Sequence, residues 1–167
     1  TCALPISERA KSNAGGGAIH DLGCYLIDFA TSLLGTEDHL IEIQTSKRMD
    51  LKDPGLVLES NALLRFQSGI TANFSVSVDC PSLNLWEVSG TDGSISALRF
   101  DTQGTSPVPI YEVNEESEAE RFEIPAMNTF KLEFEHFSCV LAGVSAPHIT
   151  PAESTQNADW LNRWVKG

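Results

Sequence analysis

The chain has 167 residues, 41% of them hydrophobic, and 11 Lys+Arg stand against 23 Asp+Glu for a formal net charge of −12. That size and apolar content suit one compact domain over residues 1–167 with a sizeable core. The charge argues against nucleic acid or an anionic membrane as partner, because both are gripped by clustered cations. No apolar run approaches the roughly 18 residues that span a bilayer, and TCALPISERA at the start carries neither a basic nor a long apolar targeting region. The four cysteines, Cys2, Cys24, Cys80 and Cys139, form no C-x-x-C pair. They read as free thiols in a reducing compartment, hence a cytoplasmic protein. Thr1 stands where an initiator Met would, which reads as a piece of a longer product.

In chain order, residues 1–14 form an entry segment that ends at three glycines, Gly15 to Gly17. From Ile19 the apolar residues Ile19, Leu22, Leu26, Phe29 and Leu33 recur at steps of three and four, the mark of one buried helical stripe, with Gly35 as the stop. The period then changes to two. Leu40 to Met49, Val57 to Phe66 and Gly69 to Asp79 read as strands, the last two joined by a tight turn at Gln67-Ser68-Gly69. In the third strand Ile70, Phe74, Val76 and Val78 alternate with Thr71, Asn73, Ser75 and Ser77, giving a core face and a polar face. Asn73-Phe74-Ser75 fits a glycosylation sequon, but its place inside a strand makes that a chance match.

Leu85 to Ser89 and Ser94 to Phe100 flank Gly90-Thr91-Asp92-Gly93. No Lys follows that turn and no helix opens there, so it is a hairpin turn rather than a phosphate loop. An acidic loop spans 103–120 around a short strand, Ile110 to Val113, and Phe122 to Ile124 supplies an edge strand. Phe130, Phe134, Phe137 and Leu141 then fall at helical spacing, with Lys131, Glu133 and Glu135 opposite, and that helix runs to Gly143. A closing helix, Ser154 to Val165, is anchored by Ala158, Leu161, Trp164 and Val165. The order predicts an α+β fold: an open, mostly antiparallel β-sheet with helices packed on one face.

The glycines ahead of the first helix allow two readings. A dinucleotide fingerprint needs G-x-G-x-x-G after a buried strand. Gly15 and Gly17 fill two positions, but His20 stands at the third and Pro5 to Asn13 is no strand. The other reading is a glycine hinge followed by an exposed helical flank, on which Asp21, Tyr25 and Asp28 share one strip at about 100° per residue. Carboxylates there would accept hydroxyl hydrogen bonds from a polyhydroxylated ligand, and a phenol passes a proton when a nearby cation lowers its pKa from about 10. A structural reading competes: Asp21 as a first-turn acid suited to the helix dipole, Tyr25 as a boundary aromatic. His20 and Cys24 would be half a metal site with no visible other half, so no metal is expected. His39, His136 and His148 have no acid or Cys pattern beside them that would mark a site.

The stretch Gly15-Gly16-Gly17-Ala18-Ile19-His20-Asp21-Leu22-Gly23-Cys24-Tyr25-Leu26-Ile27-Asp28 resembles the signature that opens the C-terminal domain of the glucose-fructose oxidoreductase, inositol dehydrogenase and MocA family. The likeness continues through Leu63 to Gly69, Val88 to Ile95, Phe130 to Gly143 and Glu153 to Val165. The resemblance implies a substrate-binding and oligomerisation domain of an NAD- or NADP-dependent oxidoreductase, whose N-terminal Rossmann domain, absent from this chain, binds most of the cofactor. It implies Asp21 as the carboxylate for substrate hydroxyls and Tyr25 as the catalytic acid/base, with Asp28 as a further substrate contact, a support for Tyr25 or a solvent-facing acid, and Gly16 and Gly17 near the cofactor. Many members carry His where this chain has Tyr25, and the Tyr branch favours a sugar or cyclic diol. A homo-dimer or tetramer through the sheet face is implied, as is inactivity of this chain alone, since the family's Glu-Lys-Pro lysine belongs to the missing half. The rival expectation is a non-catalytic member that serves as a ligand-binding or dimerisation scaffold.

Overall fold

The computed structural model describes residues 11–80, 84–98, 107–114 and 120–167. Most of the entry segment, the end of the strand predicted to reach Phe100, and much of the acidic loop lie outside them. Two compact units form, the first from 11–80 with 149–167 and the second from 84–148. The strands are antiparallel and the sheets open, as expected, but they divide between two sheets rather than joining one.

In the first unit the order is a short 3-10 turn Ser12–Ala14, a π-helical turn Ile19–Gly23, helix α1 (Cys24–Leu34), strands β1 (Leu40–Met49), β2 (Val57–Phe66) and β3 (Thr71–Ser77), and the closing helix, here α3 (Pro151–Lys166). The sheet runs β1-β2-β3. Register sets Ile43 opposite Leu64 and Leu64 opposite Ala72, and sets Thr45, Ala62 and Phe74 in the next row. Those rows form the apolar face, and β-alternation sends Gln44, Leu63 and Asn73 to the other. Leu64 and Phe66 are fully buried, and both belong to a core that includes Ile19, Ile27, Trp160 and Trp164.

The stripe predicted for α1 reaches the core in part: Ile19 is buried and Leu22 and Leu26 pack against the core, but the most buried line runs beside them. Ile19, Gly23, Ile27, Ala30 and Thr31 are buried, while Leu33 is 55% exposed. Two causes act together. The π-helical turn is wider than an α-turn and advances the chain less per residue, which moves every later side chain around the axis. The closing helix also presents Trp160 and Trp164 rather than Ala158, which is exposed, and two indoles pack best against small residues.

Gly23 shows the fit directly: a Cβ there would stand 2.9 Å from Trp164 Cζ3 and 3.3 Å from Cε3. The ring cannot retreat, because Trp164 is fully buried and its Nε1 donates to Ser60 Oγ at 2.9 Å. Gly23→Ala gains up to about 1 kcal/mol in helix propensity and incurs about 1–3 kcal/mol of overpacking. Overpacking wins, and a thermal melt of the variant is expected to show a lowered midpoint.

The closing helix starts with a reciprocal cap. Glu153 N donates to Thr150 Oγ1 at 3.2 Å and Thr150 N donates to Glu153 Oε2 at 2.6 Å. The bond from Thr150 N holds the Glu153 carboxyl below its ordinary range. At the other end Lys47 Nζ donates to the Val165 carbonyl at 2.8 Å, and Arg163 donates to the Leu40 carbonyl, so β1 and α3 are pinned to each other.

The second unit holds β4 (Trp86–Gly90), β5 (Gly93–Ala97), β6 (Val108–Asn114) and β7 (Glu120–Ile124) in sheet order, with helix α2 (Thr129–Leu141) after them. Gly90 pairs with Gly93 across the predicted hairpin turn. Ala97, Val108 and Ile110 are its buried cluster, with Trp86 packed alongside. The Phe stripe of α2 departs from expectation: Phe130, Phe134, Phe137 and Leu141 are 58–73% exposed, and the helix buries no residue.

Candidate active-site flank and sheet face

The glycines make a cornered loop rather than a phosphate cradle. Gly15 N donates to Ser12 O at 3.1 Å and Gly16 N to Lys11 O at 3.0 Å, so these amides are already engaged and cannot turn to an anion. Gly17, at φ +109°, passes so close to β2 that a Cβ would meet Val57 O at 3.0 Å and Val57 N at 3.2 Å. The loop is fastened from below by Asp53, which accepts from Ser12 N at 3.1 Å and Ser12 Oγ at 2.7 Å and is held below the ordinary carboxylate range by those bonds. Gly15, Gly16 and Gly17, with Ser12, His20 and Gly55, line a small cavity of about 90 Å³. The dinucleotide fingerprint therefore does not fit these residues, whose backbone is engaged within the loop and packed against β2.

Beyond the loop, Asp21 N donates to Gly17 O at 3.0 Å and opens the π-helical turn. Asp21 is half-buried within that turn. Tyr25 follows one turn on at the start of α1, and it is 66% exposed, a large aromatic left in solvent beside a buried stripe. Cys24, between them, donates to the Asp21 carbonyl at 3.7 Å. Burial pushes its thiol up, and the charges of Asp21 and Asp28 push the same way, so it stays a protonated thiol and a poor nucleophile or metal ligand. Among the described residues no cluster of three or more His, Cys, Asp or Glu is placed to hold a metal ion.

Asp28 is set apart from this pair. Its Oδ1 accepts from Asn157 Nδ2 of α3 at 2.7 Å, while Asn157 Oδ1 accepts from Thr31 Oγ1 at 2.5 Å. Asp28 thus helps lock α1 to α3, and no motif or spacing in the chain singles out Asn157 or Thr31. Thr31 is 2% exposed, so Asn157→Ala would strand a buried hydroxyl. The variant is expected to lose about 1–3 kcal/mol in urea unfolding.

The polar face of the first sheet is the other functional candidate. Gln44, Ser46, Asn61, Leu63, Asn73 and Ser75 line a shallow concavity of about 420 Å³ that is free of charge. Charges stand at its ends. Arg48 bonds Asp79 at 2.5 Å and Glu59 at 3.2 Å on one side, and Arg65 lies 3.7 Å from Glu42 on the other. Exposed pairs of this kind add little stability.

A solvent-facing phenol and a half-buried carboxylate thus share a helix flank beside a glycine loop and an open antiparallel sheet. Residues 3–96 match the GFO/IDH/MocA C-terminal domain. The chain belongs to the GFO/IDH/MocA family. It is similar to dTDP-3,4-didehydro-2,6-dideoxy-alpha-D-glucose 3-reductase of Actinomadura kijaniata, 29% identical over 81% of this chain and 40% of that protein. It is also similar to D-xylose 1-dehydrogenase (NADP(+)) 2 of Haloferax volcanii, 27% identical over 87% of this chain and 44% of that one. The crystal structure of KijD10, a 3-ketoreductase from Actinomadura kijaniata in complex with NADP and TDP-benzene, superposes with a TM-score of 0.84 at 25% identity, over 98% of this chain and 50% of that chain. Aldose-aldose oxidoreductase of Caulobacter crescentus shares the fold, with a TM-score of 0.77 at 22% identity over 99% of this chain and 50% of that chain. The chain spans half or less of the length of these relatives.

Proposed function

We propose that this chain is the substrate-binding and oligomerisation domain of an NAD- or NADP-dependent oxidoreductase acting on a CH-OH group of a sugar, polyol or cyclic diol in the cytoplasm. The observation that carries the reading is the Tyr25 side chain, 66% exposed one turn after Asp21 in the stretch that the family model covers. Both curated relatives are named for reactions at a sugar carbon, and one is named for NADP, which favours NADP and a sugar. A preceding nucleotide-binding half would hold the cofactor, since the glycine-loop amides here are spent on Lys11 and Ser12.

When bound, the nicotinamide supplies or accepts the hydride. Tyr25 Oη takes or returns the proton of the reacting hydroxyl. Asp21 accepts hydrogen bonds from neighbouring hydroxyls and fixes which carbon is presented. Asp28, through Asn157, holds the flank rigid on α3 while keeping a second carboxylate oxygen for a substrate contact. Gly16 and Gly17 border the cofactor. The uncharged sheet face pairs with a second copy, giving a homo-dimer or tetramer.

The test compares the polypeptide that includes the sequence ahead of Thr1 with the 167-residue chain. The longer protein is expected to bind NADP in a fluorescence titration and to turn over an aldose or keto sugar, and the shorter one to do neither. A longer protein that binds sugar without nucleotide or turnover would replace the enzyme with the scaffold reading. Light scattering across concentrations checks the sheet-face oligomer, and a monomer throughout would remove it.

A further inference from the structure

Gly23 stands midway between Asp21 and Tyr25, and its backbone does not ask for glycine. At φ −64° and ψ −29° it is ordinary right-handed helix, where alanine is the better helix former. What excludes a larger residue is Trp164, whose Cζ3, Cε3 and Cη2 atoms lie 2.9, 3.3 and 3.4 Å from the place of a Cβ. That aromatic edge is fixed from several sides. Trp164 Nε1 donates to Ser60 Oγ at 2.9 Å, and the Phe74 ring lies 5.7 Å away between centroids. Both sequence neighbours of Trp164 are pinned to β1: Arg163 donates to the Leu40 carbonyl, and the Val165 carbonyl accepts from Lys47 Nζ at 2.8 Å. Two turns earlier on the same face of α3, Asn157 grips Asp28 and Thr31. The closing helix therefore holds the flank at two points, and the one beneath Asp21 and Tyr25 is a rigid indole against bare backbone.

The turn that this edge supports is irregular. Ile19–Gly23 is π-helical and passes into α1 at Cys24. In a regular α-helix, residues four apart are separated by about 6 Å along the axis. A π-helical turn closes from i to i+5 and rises less per residue, so it draws Asp21 and Tyr25 closer together. Single π-turns are rare and concentrate at functional sites. A displacement of about 1 Å at a reacting group costs on the order of 10²-fold in rate, so a support for this turn bears directly on chemistry. We infer that Trp164 is a positioning residue: its indole edge, seated on Gly23, holds the π-helical turn and thereby sets how far the Asp21 carboxylate stands from the Tyr25 hydroxyl. This rests on the reading above that those two groups act on one substrate. Gly23 is the complement of Trp164, since only a residue without a side chain lets the indole reach the backbone of the turn.

The test is steady-state kinetics of the longer polypeptide with NADP and a sugar, at a temperature where thermal melts show each variant folded. Gly23→Ala is expected to lower kcat at least about ten-fold with NADP affinity unchanged. Trp164→Phe, whose smaller ring withdraws from position 23, is expected to lower kcat as well. The two together should recover most of the loss, because the added methyl fills the gap that the indole leaves. Phe66→Leu is the control: it thins the same core where Phe66 packs on Trp160, at 5.1 Å between ring centroids, and its kcat should not change. Unchanged kcat in Gly23→Ala beside an inactive Tyr25→Phe overturns the positioning role and leaves the oxidoreductase reading standing. An equal loss in Phe66→Leu, or a double variant no better than Gly23→Ala, also overturns it. Absence of turnover in the wild type removes the oxidoreductase reading, and backbone NMR of the 167-residue chain then decides the rest. Gly23→Ala should move the resonances of residues 19–25 toward those of a regular α-helix and the double variant should return them, whereas unmoved resonances overturn the support by Trp164. Should Gly23→Ala not fold, Trp164→Phe alone decides, and unchanged kcat there overturns the role.

Discussion

Tyr25→Phe in the complete enzyme is expected to lower kcat by about 10²–10⁴-fold, the usual worth of a positioned proton donor or acceptor, with NADP affinity unchanged. The substitution removes one oxygen and keeps the ring. At 66% exposure the hydroxyl supports no packing, so stability should move by less than about 0.5 kcal/mol. That separation makes the experiment informative: lost turnover without lost stability or nucleotide affinity is the signature of a group used at the reacting oxygen. Steady-state kinetics beside a denaturant titration supply both readouts, and unchanged turnover would remove Tyr25 from the chemistry. Asp21→Asn should raise KM more than it lowers kcat if Asp21 orients hydroxyls that do not react.

Trp164→Ala is expected to be the most destabilising single change in the first unit, by about 3–5 kcal/mol. The indole is fully buried, lies 5.7 Å from the Phe74 ring between centroids, backs onto Gly23, and donates to Ser60 Oγ, which itself donates to the Ser46 carbonyl at 3.0 Å. Truncation leaves a cavity beneath the flank that carries Tyr25 and breaks the link from α3 to β2. With a urea slope of about 1–3 kcal/mol/M, the midpoint should fall by on the order of 2 M. Trp164→Phe, which fills most of the space but cannot reach Ser60, should lose far less. Equal losses for the two would assign the effect to the hydrogen bond rather than to volume.

Much of this architecture can be read from the chain itself. Period-two alternation places β1 and β2 at their observed bounds and the polar face of β3 on Thr71, Asn73 and Ser75, because alternation depends only on adjacent residues. The α1 stripe holds at Ile19, Leu22 and Leu26 and departs at Leu33 for a nameable reason. Its buried line passes through Gly23, Ala30 and Thr31, residues that a search for large apolar side chains ignores, and it is rotated by a π-helical turn that no spacing rule announces. The Phe stripe of α2 is apolar as read, but apolarity says only that something must cover it.

The candidate site divides in the same way. The flank with Asp21 and Tyr25 is visible in sequence because its residues are neighbours in the chain. Asn157 is not, since its partners Asp28 and Thr31 lie 129 and 126 positions away. Nor is the anchoring of the glycine loop by Asp53, 41 positions from Ser12. Long-range polar contacts have no period, and only the fold brings them together.

The most direct measurement is the distance, in a crystal structure of the longer polypeptide with NADP and a sugar, between Tyr25 Oη and the oxygen on the reacting carbon. The account predicts about 2.6–3.2 Å, with that carbon facing the nicotinamide. A Tyr25 hydroxyl aimed into bulk solvent, with no substrate oxygen within reach of a hydrogen bond, would contradict it.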